Sequence, residues 1–219
     1  MKGLNFLNKY TVTAIVFTVG LIGLSISASR PLFIQLVPIN FLFLIFMFIS
    51  SLKKWTFQFF VLIATVFVAG FLVEVLGTKK GFIFGNYFYG NTLGFKIWDV
   101  PLVMGINWII VLLGAIYWAN YILNNLSVNP FLKKALVILL SSLLMTGLDY
   151  FIEPIAISLD FWHWEGNLIP LRNYFGWLVI SVLFNIFAIT LNKMKINFFS
   201  GYLFLIQLIF FLILNITLY

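Results

Sequence analysis

Long apolar runs, broken by charges that come singly or in pairs, dominate the chain, and they lack the strict apolar–polar alternation of a barrel strand. Seven runs read as helices: Thr11–Ala28, Pro31–Ser50, Trp55–Leu76, Val100–Leu123, Ala135–Ile157, Asn173–Leu191 and Phe198–Leu218. Each is long enough to cross a hydrocarbon core that takes about 20 apolar residues, with tilt. Lipid offers the backbone no hydrogen bonds, so uninterrupted apolarity predicts helices that bond internally. The predicted fold is an all-α polytopic membrane protein, a bundle of about seven transmembrane helices with aromatic-rich loops on the outer side. The first run follows Lys2 and Lys9 and ends in small residues, yet a second span starts almost at once at Pro31. It is read as a retained helix rather than a cleaved signal peptide.

Composition reinforces this reading. With 63% of 219 residues hydrophobic, 20% aromatic and 9% charged, too little polar surface remains to coat a water-soluble globule. Residues 1–219 are therefore expected to form a single integral membrane domain with no soluble appendage. Thirteen Lys and Arg against six Asp and Glu are scattered between the runs, which suits topology signals and not nucleic-acid binding. Lys2, Lys9, Lys53, Lys54, Lys133, Lys134, Lys193 and Lys195 fall on one side with no acid among them. The opposite side has Arg30, Lys79, Lys80, Lys96 and Arg172. This bias predicts a cytoplasmic N-terminus and an outside C-terminus. The absence of Cys excludes disulfides, thiolate zinc sites and iron–sulfur clusters, and one His among scattered carboxylates has no metal-ligand spacing. No P-loop pattern marks a phosphate site.

Two outer connections carry most of the remaining information. Residues 77–99 hold five Gly, two Tyr and a Trp, and residues 158–172 hold two Trp, the only His, two acids and a Pro. Both are expected to fold over the outer mouth of the bundle, with aromatic rings at headgroup depth. All six acids, Glu74, Asp99, Asp149, Glu153, Asp160 and Glu165, fall in the outer half or its loops. Glu74, Asp149 and Glu153 lie inside apolar spans, where ionisable groups are costly and face a cavity or a partner. Asp149 and Glu153 are four apart on one helix face, with Cβ atoms roughly 6 Å apart. Two carboxyls that close, away from water, do not both ionise readily, so at least one is expected to keep a proton. Pro154 is expected to bend the helix or end its regular bonding.

A proton donor in a dry, aromatic-lined pocket suits protonation of an alkene. Alkenes are very weak bases, so the reaction needs a carboxylic acid that stays protonated and electron-rich ring faces for the cation that forms. Water capture then gives a tertiary alcohol, and capture by an internal double bond gives a ring. The residues leave both outcomes open.

Several motifs in order carry a family resemblance: Glu74-Val75-Leu76-Gly77, Gly81, Phe84-Gly85-Asn86-Tyr87-Phe88-Tyr89, Val100-Pro101, Trp108, Asp149, Glu153-Pro154, Trp162-His163-Trp164, and Pro170 through Trp177. Over roughly residues 70–180 the chain resembles the carotenoid biosynthesis membrane proteins of bacteria and archaea. The family's characterised members are carotenoid end-group hydratases, of the bisanhydrobacterioruberin hydratase and gamma-carotene hydratase type. The first two helices and the last match only in hydropathy. The resemblance implies addition of water across the terminal double bond of an acyclic psi end, without a redox or other cofactor. It also implies a lipophilic carotenoid drawn from membrane lipid, a bacterial or archaeal cell membrane, and association with other enzymes of the pathway. By position, Asp149 or Glu153 becomes the general acid, and Glu74 or the remaining carboxylate of the pair becomes the base that orients water. Substrate contact falls to Tyr87, Tyr89, Trp108, Asp160, Trp162, His163, Trp164, Asn173 and Trp177. Glu153 precedes Pro154 where the family more often has Asp, which leaves that carboxyl's role open.

Competing readings are specific. The Asp149/Glu153 pair could be an interhelical network tied to Arg172 or Lys96, Glu74 could snorkel to the interface, and His163 between two Trp could be an interfacial anchor. At the level of function, the alternatives are a lycopene-cyclase-like enzyme and a transporter or proton relay. A retinal pump is disfavoured, because the last run, residues 198–218, has no Lys for a Schiff base.

Overall fold

The computed structural model describes residues 5–52, 56–191 and 196–218. In chain order the helices are α1 (Asn5–Ser25), α2 (Arg30–Gln35), α3 (Val37–Ser51), α4 (Phe57–Lys80), α5 (Val103–Ile122), α6 (Pro130–Ser158), α7 (Leu171–Leu191) and α8 (Phe198–Leu218). Four strands of two or three residues lie in the loops: β1 (Tyr87–Tyr89), β2 (Lys96–Ile97), β3 (Val100–Pro101) and β4 (Trp162–Trp164). Among the described residues, α4 to α8 are five helices long and apolar enough to cross a membrane, and Lys9–Ser25 and Val37–Ser51 are shorter apolar helices.

The expected second span, Pro31–Ser50, is not one helix. It breaks at Leu36, between α2 and α3, and Pro31 and Pro38 each stand in the first turn of the helix they open. A proline ring crowds the carbonyl four residues back, which disfavours running α2 on through Pro38. The first helix ends at Ser25, three residues before the expected end. There Arg30 Nε donates to the Leu24 carbonyl at 2.7 Å and Ser29 Oγ to the Gly23 carbonyl at 2.8 Å, satisfying groups left open by the last turn. α6 continues as helix through Pro154 to Ser158, so the proline, which has no N–H to give, does not end the helix there. Lys2, Lys53, Lys54, Lys193 and Lys195, and Trp55 at the expected start of the third span, lie outside the described residues.

Helix starts follow local chemistry. The Thr56 hydroxyl accepts from Phe59 N at 3.2 Å to open α4, and Asn129 Oδ1 accepts from Leu132 N at 2.8 Å to open α6. α4 stops at Gly81, whose left-handed φ of 58° is the conformation a side chain resists. α5 is the most buried of the five long helices and packs against α4, α6 and α8, while α6 packs on α7 and α1 on α8.

The connections between α4 and α5 and between α6 and α7 join as a ribbon. β1 and β4 pair antiparallel, with Tyr87 opposite Trp164, Phe88 opposite His163 and Tyr89 opposite Trp162. Alternation along a strand buries Tyr87, Tyr89, Trp162 and Trp164 and leaves Phe88 exposed. A second ribbon, β2 with β3, turns through Trp98 and Asp99, both at positive φ (52° and 67°), as a two-residue hairpin requires.

Gly114 of α5 lets α8 approach closely: a Cβ there would come within 2.8 Å of the Ser200 carbonyl and would collide with Phe204. Gly114→Ala is expected to destabilise the bundle by about 1–3 kcal/mol. The midpoint of thermal unfolding in detergent reads this, and an unchanged midpoint would refute the close packing of α5 on α8.

Candidate active site

Glu74 on α4 and Asp149 and Glu153 on α6 converge beneath the β1/β4 ribbon, and all three are at most 3% exposed. Their surroundings are built from donors. Tyr87 and Tyr89 donate their hydroxyls to Glu74 Oε2 at 2.6 and 2.7 Å, and Trp108 Nε1 of α5 donates to Glu74 Oε1 at 3.0 Å. Trp162 and Trp164 donate to Glu153 Oε2 at 3.0 and 2.7 Å. Asn173 of α7 bridges the α6 pair, donating from Nδ2 to Glu153 Oε1 at 2.8 Å and to Asp149 Oδ2 at 2.9 Å.

The three carboxyls are therefore unequal. Glu74 and Glu153 each accept three side-chain bonds, whereas Asp149 accepts one. Asp149 Oδ1 is buried without a hydrogen-bond partner among the described residues. An indole N–H only donates, so the oxygens of Glu153 are held as acceptors, and the open position for a carboxyl O–H is Asp149 Oδ1. Burial first, and the Glu74 carboxyl next, hold the Tyr87 and Tyr89 phenols well above the ordinary tyrosine value, so both remain donors.

Ring faces close the cage. Trp108 stacks on Trp177 with centroids 4.1 Å apart, and Tyr87 lies 5.1 Å from Trp164. Phe84, Met104 and Trp177 complete a cavity of about 20 Å³ walled by the three carboxyls and Asn173. That is room for about one water molecule. Met104 and Trp162 also line a second, apolar cavity of about 430 Å³ among α1, α3, α5 and α8, so they stand between the two spaces. Exposed Ile15, Val19 and Ile39 line the larger cavity, which opens to the surface of the bundle.

The sequence-predicted set divides accordingly. Tyr87, Tyr89, Trp108, Trp162, Trp164, Asn173 and Trp177 all reach the cage. Asp160 and His163 do not. They pair with each other at 2.7 Å on the exposed side of the ribbon, where the His163 ring also lies 5.4 Å from Phe88. The cationic partners considered for the α6 pair are engaged elsewhere: Lys96 Nζ donates to the Tyr89 carbonyl at 2.9 Å and Arg172 to the Phe82 carbonyl. Glu74 does not snorkel, because α4 runs six residues beyond it and the ribbon covers it.

Sequence reasoning missed Met104, which carries no polar signal, and the part that α1, α3 and α8 play in the apolar cavity. Gln207, in the middle of an apolar run, was a signal for the latter.

Compared with known proteins, the chain matches over residues 33–218 the family model described as "Carotenoid biosynthesis protein". The match extends well beyond residues 70–180, to which the motifs confined the resemblance. No curated protein and no solved structure matches the chain.

The Asp160 pair yields a pH prediction. Burial pushes its carboxyl up, but the His163 bond, the Asn91 N–H at 2.9 Å and the Lys96 charge outweigh it and hold Asp160 below the ordinary aspartate value. The folded value is the lower one, so the carboxylate's contribution is full above about pH 3.9 and is lost as pH falls through the folded value. Protection of the Asn91 amide from hydrogen exchange, relative to its intrinsic rate, should weaken over that acid range. In Asp160→Asn that pH dependence should vanish; its persistence would rule out Asp160 as the group responsible.

Proposed function

The chain belongs to the carotenoid biosynthesis protein family, and from that membership we propose that it is a carotenoid end-group hydratase that works without a cofactor. The observation that carries this reading is the buried, unpartnered Oδ1 of Asp149, a residue that lines a cavity of about 20 Å³ beside two carboxyls that each accept three hydrogen bonds. Asp149 is the general acid. Its proton goes to the inner CH carbon of the terminal double bond of an acyclic psi end, where the π bond's electrons form the new C–H bond, and the dimethyl-substituted carbon is left as a tertiary cation. Water bonds to that carbon, and Glu153 takes the proton the water releases. Return of this proton from Glu153 to Asp149, four residues away on α6, restores the starting state, so the net change is addition of one water.

The other groups shape this step. Glu74, whose oxygens accept from three donors, and the faces of Trp108, Trp177 and Tyr87 favour the cation. The 430 Å³ cavity suits an apolar chain that enters from lipid while its end passes Met104 and Trp162. Room for about one water favours hydration over a dry site made only for ring closure.

The test is expression in cells that accumulate lycopene and gamma-carotene, with heavy-oxygen water and mass spectrometry of the pigments. A product heavier by one labelled water is expected. An isomer of unchanged mass would overturn hydration in favour of cyclisation. Asp149→Asn is expected to lower turnover by about 10²- to 10⁴-fold, as loss of a general acid does. Glu153→Gln and Glu74→Gln should also lose activity while the protein still accumulates in the membrane, and full activity in all three variants would sink the assignment.

The proposal also includes one membrane domain crossing seven times, with α1 as one crossing and α2 with α3 as another, and with the N-terminus cytoplasmic. A reporter fused after Tyr219 should be active only as a non-cytoplasmic fusion. Cytoplasmic activity would reverse the orientation.

A further inference from the structure

The apolar cavity contains polar groups that the bundle itself does not use. Asn40 of α3, Asn107 of α5 and Gln207 of α8 stand in its wall among residues such as Phe17, Leu44 and Phe210. Asn40 Oδ1 and Gln207 Oε1 are buried with no hydrogen-bond partner among the described residues, and Gln207 is only 5% exposed. Two other amides in the bundle are tied to protein. Asn185 donates to Ser142 Oγ and the Ser181 carbonyl and accepts from Ser141, and Asn215 donates to the Phe151 and Phe211 carbonyls. A buried amide left unbonded is unfavourable, and Leu or Met would fill the same space without that cost. Two such oxygens in one hydrocarbon-lined cavity imply a ligand that brings a donor.

We propose that this cavity binds an isoprenoid alcohol in preference to the bare hydrocarbon, with the ligand's hydroxyl held by Gln207 and Asn40. An alcohol has one O–H to give and lone pairs to accept an amide N–H, so it complements a carboxamide; an ether or a hydrocarbon has no O–H to give. The rest of the wall takes the apolar chain. That the chain is isoprenoid rests on the family reading above; selection for a hydroxyl rests on the two amide oxygens. The amides lie in the larger cavity and not in the carboxyl cage, so they recognise a hydroxyl on the part of the chain outside the cage.

The purified full-length protein in lipid nanodiscs tests this directly. Geranylgeraniol, its methyl ether and the matching hydrocarbon would be titrated while following tryptophan emission, to which Trp162 in the cavity wall contributes. The alcohol is expected to bind about ten-fold more tightly than the ether, the effect of one net hydrogen bond. Gln207→Met and Asn40→Leu should each reduce or abolish that preference while ether affinity stays the same, which also reports that the cavity is intact. Equal binding of alcohol and ether to the unaltered protein would overturn the proposal, as would full preference retained in both variants. No preference in the unaltered protein, with heavy-oxygen hydration intact, removes this inference alone. A retained preference with no hydration removes the hydratase reading alone.

Discussion

Glu74 and Glu153 each receive three side-chain hydrogen bonds inside an otherwise apolar bundle, and the end of the bundle that carries the β1/β4 ribbon is arranged to supply them. A carboxyl withdrawn from water is tolerable when protein donors replace its hydration, and six of them do so here. Four come from one two-stranded ribbon, through Tyr87, Tyr89, Trp162 and Trp164. Seating the ribbon and burying the acids are thus one event. Without the ribbon the acids lose most of their donors, and without the acids four buried polar groups lose their acceptors.

Close packing serves the same end. A Cβ on Gly70 would come within 2.7 Å of the Trp108 ring, and one on Gly77 would meet the Tyr87 hydroxyl at 2.7 Å. Both glycines lie on α4, on either side of Glu74. They let an indole and a phenol approach the helix closely enough to reach its carboxyl. Helix, ribbon and ring stack hold one another, and the small cavity between them follows from that packing.

Much of this was legible in the sequence. Apolar runs predicted helices because the bilayer leaves the backbone no alternative, and the last run matches α8 at both ends. Three acids inside those runs singled out the site because such residues are rare where burial is costly. The spacing of Asp149 and Glu153 placed them on one face, but spacing within one helix says nothing of who donates to whom. That depends on pairing residues 87–89 with 162–164, a contact across more than seventy positions that no local pattern encodes. The sequence reading puts Trp162, His163 and Trp164 together at the substrate, yet strand alternation sends the two Trp inward and leaves His163 with Asp160. Hydropathy read residues 31–50 as one span because apolarity does not register the backbone clash at Pro38.

Under the proposed function, the division into two spaces lets one fold hold a hydrocarbon and still do acid–base work. Polar reacting groups are confined to about 20 Å³ and the apolar chain has about 430 Å³, with Met104 and Trp162 between them. Met is flexible and indole offers a π face, so this partition can yield to an end group while keeping bulk water out. In such a cage a cation is favoured by carboxylates and ring faces alike, and what decides its fate is what else fits beside it. Space for one small polar molecule, bounded by an acid with an open oxygen and a base already held by three donors, makes water the partner that the proposed reaction needs. In the proposed reaction it is the asymmetry of hydrogen bonding between Asp149 and Glu153, set by one ribbon and one bridging Asn173, that separates acid from base on a single helix face.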